Sequence, residues 1–169
     1  DLAIRLAPTI EGDLITTKLM PTRYRVAASP AYLRAAPPLQ TPQDLTAHRV
    51  LLFTLRAFRS RWTFRNQTET FAILIKGDLI LSPAGTLHQA ALAHLGPALL
   101  PDWLVDTDIA AGRLTHCLPD WEVTATTFDT AAWAVYPSRS YLPAKTRAML
   151  GFLRAHLAKG RLFPSAPPL

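Results

Sequence analysis

The chain has 169 residues, with 18 Lys and Arg against 12 Asp and Glu, a formal net charge of +6 and a pI of about 10.0. Hydrophobic residues make up 49% and charged residues 18%, which excludes a disordered chain and leaves one domain or two small lobes with a real core. No apolar run approaches the roughly 18 residues of a membrane span, no charged-then-apolar leader opens the sequence, and the single cysteine, Cys117, cannot form an internal disulfide.

Short apolar strands are expected at Ala3-Ile4 and Arg25-Val26-Ala27. Ser29 then reads as a helix N-cap with Pro30 at the first helical position, where a missing N–H costs nothing. Thr41-Pro42-Gln43-Asp44 repeats the device, with an acidic residue placed as in a capping box. Val50 to Phe53 is a buried strand. The segments 71–75 and 78–81 flank Lys76-Gly77 and predict a hairpin. Ser82-Pro83 opens a helix in which Ala84, Leu87, Ala91 and Leu95 recur at helical spacing, with Gly96 as its stop. Ala98 to Leu100 is a strand, and Pro101-Asp102 opens a helix reaching about Ala110. Thr130 to Tyr136 is an apolar strand. Pro143 starts a last helix with Ala148, Met149, Phe152, Leu153 and Leu157 on one face, which Gly160 stops. Residues 161–169 are expected to fray as a tail. Strands alternating with helices predict an α/β fold with a largely parallel sheet.

The chemistry these residues can support is limited. Gly77, Gly85, Gly96 and Gly112 stand alone, so there is no glycine-rich phosphate loop, and no Gly-x-Ser-x-Gly elbow is present. His88 and His94 lie six residues apart and do not share a helix face, which argues against zinc. His48 reads as a helix-end residue. Cys117 reads as a small buried hydrophobe, because its neighbour His116 points to the opposite face of a strand. The prediction is no enzyme, no cofactor and no metal. The basic residues are scattered except for Arg56, Arg59, Arg61 and Arg65. That patch reads as a solvated loop flank, with nucleic acid or a charged effector as the functional alternatives.

The segment Tyr24 to His48, YRVAASPAYLRAAPPLQTPQDLTAH, carries a further signal. It resembles the effector-binding domain of LysR-type transcriptional regulators, where a strand ending in Ala-Ser-Pro-x-Tyr-Leu leaves one lobe for the next. Other pieces follow in the same order: Asp1 to Arg5, Leu19 to Arg25, Trp62-Thr63-Phe64, Ala90 to Pro101, Gly112-Arg113-Leu114 with Leu118 to Trp121, Val135-Tyr136-Pro137, and Arg147 to Leu157. Two departures stand out. The family's helix-turn-helix and the opening part of its first lobe have no counterpart here, and His94 and Pro97 stand where the family has Gly and a β-branched residue.

The resemblance implies a two-lobed, periplasmic-binding-protein-like fold. Two strands would cross between the lobes, at Tyr24 to Ala28 and Trp133 to Tyr136, and the first lobe would be incomplete. Residues 1–29 and 132–160 would form lobe I and residues 30–131 lobe II. It further implies a cytoplasmic sensor that binds a small anionic effector and forms a homodimer or higher oligomer. DNA would be contacted only through a helix-turn-helix domain outside this sequence, and membranes not at all. The start of the Ser82 helix, with Ser82, Pro83 and Ala84, would line the effector cleft by offering free N–H groups at the positive end of the helix dipole. Arg5, Leu6 and Ala7 would form the facing wall, and Trp133 would cap it. A stand-alone solute-binding module of the periplasmic type is the alternative reading.

Overall fold

A computed structural model of the chain describes residues 2–7, 9–10, 14–137 and 142–157. The expected stop at Gly160 and the expected tail 161–169 lie outside these residues. The elements run β1 (Ala3–Ala7), β2 (Ile15–Pro21), β3 (Tyr24–Ala28), α1 (Pro30–Ala35), β4 (Leu51–Phe53), β5 (Arg61–Arg65), β6 (Thr70–Leu74), β7 (Leu79–Leu81), α2 (Ala84–Leu92), β8 (Ala98–Pro101), α3 (Asp102–Ala110), β9 (Thr115–His116), β10 (Glu122–Thr124), β11 (Ala131–Tyr136) and α4 (Ala144–Leu157). Two 3₁₀ helices, Pro42–Ala47 and Arg56–Arg59, flank β4.

The chain divides into two compact units, Asp1–Thr22 with Asp129–Leu169 and Arg23–Phe128. The lobe I expected from the resemblance, residues 1–29 with 132–160, includes β3. In the structure β3 pairs with β8, β9 and β10, and those hydrogen bonds place Tyr24–Ala28 in the middle unit.

The middle unit is built on one sheet in the order β6-β5-β10-β3-β8-β4-β7, with β9 added on β3. Here the expectation of a largely parallel sheet is corrected. Only β4 with β7 and β4 with β8 run parallel, and the other pairs are antiparallel. Strands that run parallel need a crossover connection, and α2 supplies the one from β7 to β8, which lie on either side of β4.

The expected hairpin at Lys76-Gly77 is also corrected. β6 and β7 lie at opposite edges of the sheet. The hairpin is instead β5–β6, closed where Asn66 Oδ1 accepts from the N–H groups of Thr68 and Glu69, each at 2.9 Å. Beyond Gly77 the chain lays β7 alongside β4, with Leu51, Leu52 and Phe53 opposite Leu79, Ile80 and Leu81.

Period-2 alternation distributes the apolar residues to two cores. Val26, Val50, Leu52 and Leu99 enter one cluster with Trp62, Phe64 and Leu118. Their neighbours Ala27, Leu51, Ala98 and Leu100 enter the other, with Leu87, Ala91 and Val105 of α2 and α3. Central strands covered on both faces read as continuous apolar runs, which explains why Val50 to Phe53 and Ala98 to Leu100 were legible as strands.

The end of α2 departs from expectation. Leu95 N–H donates to the Ala90 carbonyl (3.1 Å) and His94 N–H to the Ala91 carbonyl (3.2 Å), while His94 has φ 66. This is a Schellman termination, so His94 rather than Gly96 ends the helix. Its left-handed backbone is the conformation a glycine adopts most readily, and its ring Nδ1 lies 2.8 Å from Ser29 Oγ. Ser29 itself caps α1 as expected, accepting from Tyr32 N–H at 3.2 Å.

The outer unit carries a three-stranded antiparallel sheet, β1-β11-β2. Ala131, Ala132, Ala134 and Val135 of β11 are buried. α4 packs against β2 and buries Thr146 and Leu150.

Candidate functional site

In the middle unit, the candidate site forms at the C-terminal ends of the parallel pair β4 and β7, where open α/β sheets bind ligands. Thr54 N–H donates to the Leu81 carbonyl at 3.1 Å, so the ladder closes just before Ser82. Ser82 was expected to cap the helix. Instead Pro83 is the N-cap, reached through a cis Ser82–Pro83 bond. The first helical hydrogen bonds run to the Pro83 carbonyl, from Thr86 N–H (3.0 Å) and Leu87 N–H (3.3 Å). Ser82 therefore lies one residue outside the helix, exposed and without a capping hydrogen bond.

The first turn remains open. Among the described residues the N–H groups of Ala84 and Gly85 have no acceptor. A Cβ placed on Gly85 would meet nothing within 4 Å. Two unpaired N–H groups at the positive end of a helix, beside an exposed hydroxyl and free space, suit an anion. Ser82 and Pro83 are exposed, and Ala84 is half-buried. These three are legible in the sequence, whereas Gly85, whose small size leaves the approach clear, is not.

In the outer unit, Arg5, Trp133 and Lys18 form one cross-strand row over β1, β11 and β2. The Trp133 indole Nε1 donates to the Ala7 carbonyl at 2.9 Å, and the Lys18 ammonium lies 6.0 Å from the Trp133 ring centroid. Arg5 and Lys18 are exposed. The register shifts between Ala132 and Trp133, so that Trp133 meets Lys18 while Ala132 meets Met20. Such a bulge redirects a side chain. Leu6 alternates to the opposite face, opposite Ala132, and is separated from Arg5 and Ala7 by the pleat. Lys18 was missed because only strand pairing brings it beside Trp133.

Several other polar groups are engaged structurally. Arg25 holds Asp106 through two bonds (2.5 and 3.0 Å) and reaches His116 Nδ1 at 3.5 Å. Burial and the adjacent Arg25 guanidinium push the His116 pKa down. His88 Nε2 donates to Asp108 Oδ2 at 2.7 Å, and Arg113 Nε donates to Asp108 Oδ1 at 2.5 Å. His48 Nδ1 bonds the Tyr32 hydroxyl at 3.1 Å. Burial pushes the Cys117 thiol up to about 12, so it stays protonated and unreactive at neutral pH. Among the described residues no group of three or more His, Cys, Asp or Glu side chains could hold a metal ion, and no helix is long and apolar enough to cross a membrane.

The family model described as the LysR substrate binding domain matches residues 1–158. The chain is similar to the HTH-type transcriptional regulator PtxR of Pseudomonas aeruginosa, 31% identical over 159 residues, which covers 94% of this chain and 50% of that protein. It is similar to the HTH-type transcriptional regulator DmlR of Escherichia coli, 34% identical over 161 residues, again covering 94% and 50%. Among solved structures, it is similar to the regulatory domain of CrgA, a LysR-type transcriptional regulator from Neisseria meningitidis. The TM-score is 0.79 at 30% identity, covering 93% of this chain and 75% of that one. The chain thus spans about half the length of the curated relatives it matches. Those relatives are named as regulators of transcription, which does not favour a stand-alone solute-binding module. The similarity to CrgA carries the two-lobed, periplasmic-binding-protein-like α/β architecture.

Proposed function

The chain belongs to the LysR substrate binding domain family, and on that premise we propose that it is the small-molecule-sensing part of a cytoplasmic transcription regulator. The effector is a small anion, a carboxylate in the simplest case. The observation that carries this reading is the open start of α2, where the Ala84 and Gly85 N–H groups, the Ser82 hydroxyl and free space above Gly85 coincide. The row Arg5–Trp133–Lys18, with Ala7 accepting from the Trp133 indole, is a second surface suited to negative charge. An effector that favours one arrangement of the domain shifts its population, and coupling carries that shift to a helix-turn-helix part of the kind named in its relatives. No catalytic role is assigned.

The test is thermal unfolding with a panel of small carboxylates. At a hundredfold excess over its dissociation constant, a ligand that binds only the folded state adds about 2.7 kcal/mol. For a chain of this size that raises the melting temperature by roughly 5–11 °C. Ser82→Ala is a clean probe here because Ser82 caps nothing, so its basal stability stays within about 0.5 kcal/mol of the parent. The ligand-induced shift should shrink in Ser82→Ala and in Arg5→Gln. If a stabilising carboxylate is found and neither variant changes its shift, the site lies elsewhere.

We also propose that the chain self-associates. Ile4 (55% exposed), Leu6 (47%), Met149 (49%) and Phe152 (61%) all belong to the outer unit, and exposed apolar surface favours association. Light scattering is expected to report a homodimer or larger. A monomer that persists at high protein concentration overturns this.

A further inference from the structure

The segment Arg56-Ala57-Phe58-Arg59-Ser60-Arg61-Trp62 takes no part in the site described above. Its 3₁₀ helix, Arg56–Arg59, has three residues per turn, so Arg56 and Arg59 stand on one face. The mount is firm. Phe58 is buried and packs edge-on against Tyr24 and Phe53. The buried Trp62 donates its indole N–H to the Phe58 carbonyl at 3.0 Å, and Ile75 N–H donates to the Ser60 carbonyl at 3.0 Å. Arg61 follows at the start of β5, cross-strand from the exposed Leu74. Two buried aromatics thus anchor the backbone that carries three exposed arginines within six residues.

Their charge is not neutralised within the protein. Arg25 is matched by Asp106, Arg49 by Asp78, Arg113 by Asp108, and Arg65 by Glu122 while lying 4.0 Å over the Phe128 ring. Arg56, Arg59 and Arg61 form no ion pair among the described residues. Exposed, unpaired guanidiniums on an anchored stretch of backbone fit a partner with a phosphate backbone.

We propose that Arg56, Arg59 and Arg61 form a contact surface for the phosphate backbone of duplex DNA. Duplex DNA is chosen because, on the reading of the chain as part of a transcription regulator, it is the polyanion near which the domain works. The contact is sequence-independent and adds to the helix-turn-helix part without replacing it. It needs no effector, so a failed effector screen leaves it standing, and its own failure leaves the sensing reading untouched.

The experiment is fluorescence anisotropy of this chain with two unrelated duplexes across about 50 to 200 mM salt. Three phosphate contacts give a log–log salt slope of about 2.7, or roughly a 40-fold loss of affinity over that range. R56Q/R59Q/R61Q should lower the slope by about that amount. R34Q/R147Q/R154Q removes the same charge from exposed arginines elsewhere, starting from the same +6, and should change the slope by less than about 1. R56K/R59K/R61K should restore it, since lysine meets phosphate as a point charge, and that rescue separates lost contact from lost folding. Equal slopes for the two glutamine triples would show diffuse charge and overturn the proposal. So would no binding by the parent at the lowest salt, a strong preference between the duplexes, or loss of binding in inorganic phosphate at matched ionic strength.

Discussion

Gly77→Ala and Gly96→Ala should each lower the melting temperature by roughly 6–12 °C. Both glycines press on the same piece of backbone at the start of β4. A Cβ on Gly77 would lie 1.9 Å from the Val50 carbonyl oxygen, and one on Gly96 would lie 2.1 Å from the Arg49 carbonyl oxygen. These atoms are backbone and cannot swing aside. Val50 is buried, and Leu51 N–H is already bonded to the Pro97 carbonyl at 2.8 Å. Relief therefore requires β4 to shift away from β7 and β8, both of which it joins in parallel. Overpacking costs about 1–3 kcal/mol and more where backbone must move. At about 3 kcal/mol, and 2–4 °C for each, the stated range follows. Gly151→Ala is the control. It lies within α4, where a Cβ meets nothing within 4 Å, so it should gain up to about 1 kcal/mol from helix propensity. Calorimetry showing a fall below about 2 °C for Gly77→Ala and Gly96→Ala would mean that β4 yields freely, and the tight-contact argument would be lost.

Asp108→Ala should cost about 3 kcal/mol in denaturant unfolding. Asp108 is buried at the end of α3, and its two carboxylate oxygens accept from His88 of α2 and from Arg113. Removing one partner of a buried pair costs about 3–5 kcal/mol, because the other is left unsatisfied. Here the lower end applies. Arg113 is exposed and returns to water, whereas His88 is buried and does not. Asp108→Asn keeps an acceptor for His88 and should cost less. The double variant His88→Leu/Asp108→Leu should recover most of the loss, since apolar replacement of both partners is often neutral. Because His88 sits one turn into α2, the single variants should also weaken the response to an effector held at the start of that helix. A loss below about 1 kcal/mol for Asp108→Ala would place the pair with surface ion pairs.

Local rules made much of the fold legible in the sequence. Ser29-Pro30 announces α1 because capping needs only residues within one turn. The apolar runs at Val50 and Ala98 announce buried strands because both faces of the middle sheet are covered. The ordered series of short resemblances from Asp1 to Leu157 was enough to identify the family that residues 1–158 match. Asp44 was read correctly as well. Its carboxylate accepts from the N–H groups of Gln40 (2.9 Å) and Thr41 (2.7 Å), and those bonds pull its pKa down.

What remained hidden depends on pairing over distance. Lys76-Gly77 looked like a turn, yet whether β7 returns to β6 or crosses to β4 is decided by the cover α2 gives the parallel pair. Gly96 looked like the helix stop, yet His94 took the left-handed position, with its ring beside Ser29, 65 residues away in sequence. Ser82 looked like a cap, but the helix begins on the Pro83 carbonyl, which leaves the hydroxyl free for another use. Arg5 and Leu6 looked like one wall, and strand pleating sends them to opposite faces. Lys18 carried no signal, because only the register of β2 on β11 sets it beside Trp133. Capping and periodicity act within a few residues and are written in the order of side chains. Strand partners, register and the facing of side chains are settled by which surfaces are buried together, and that is a property of the folded chain.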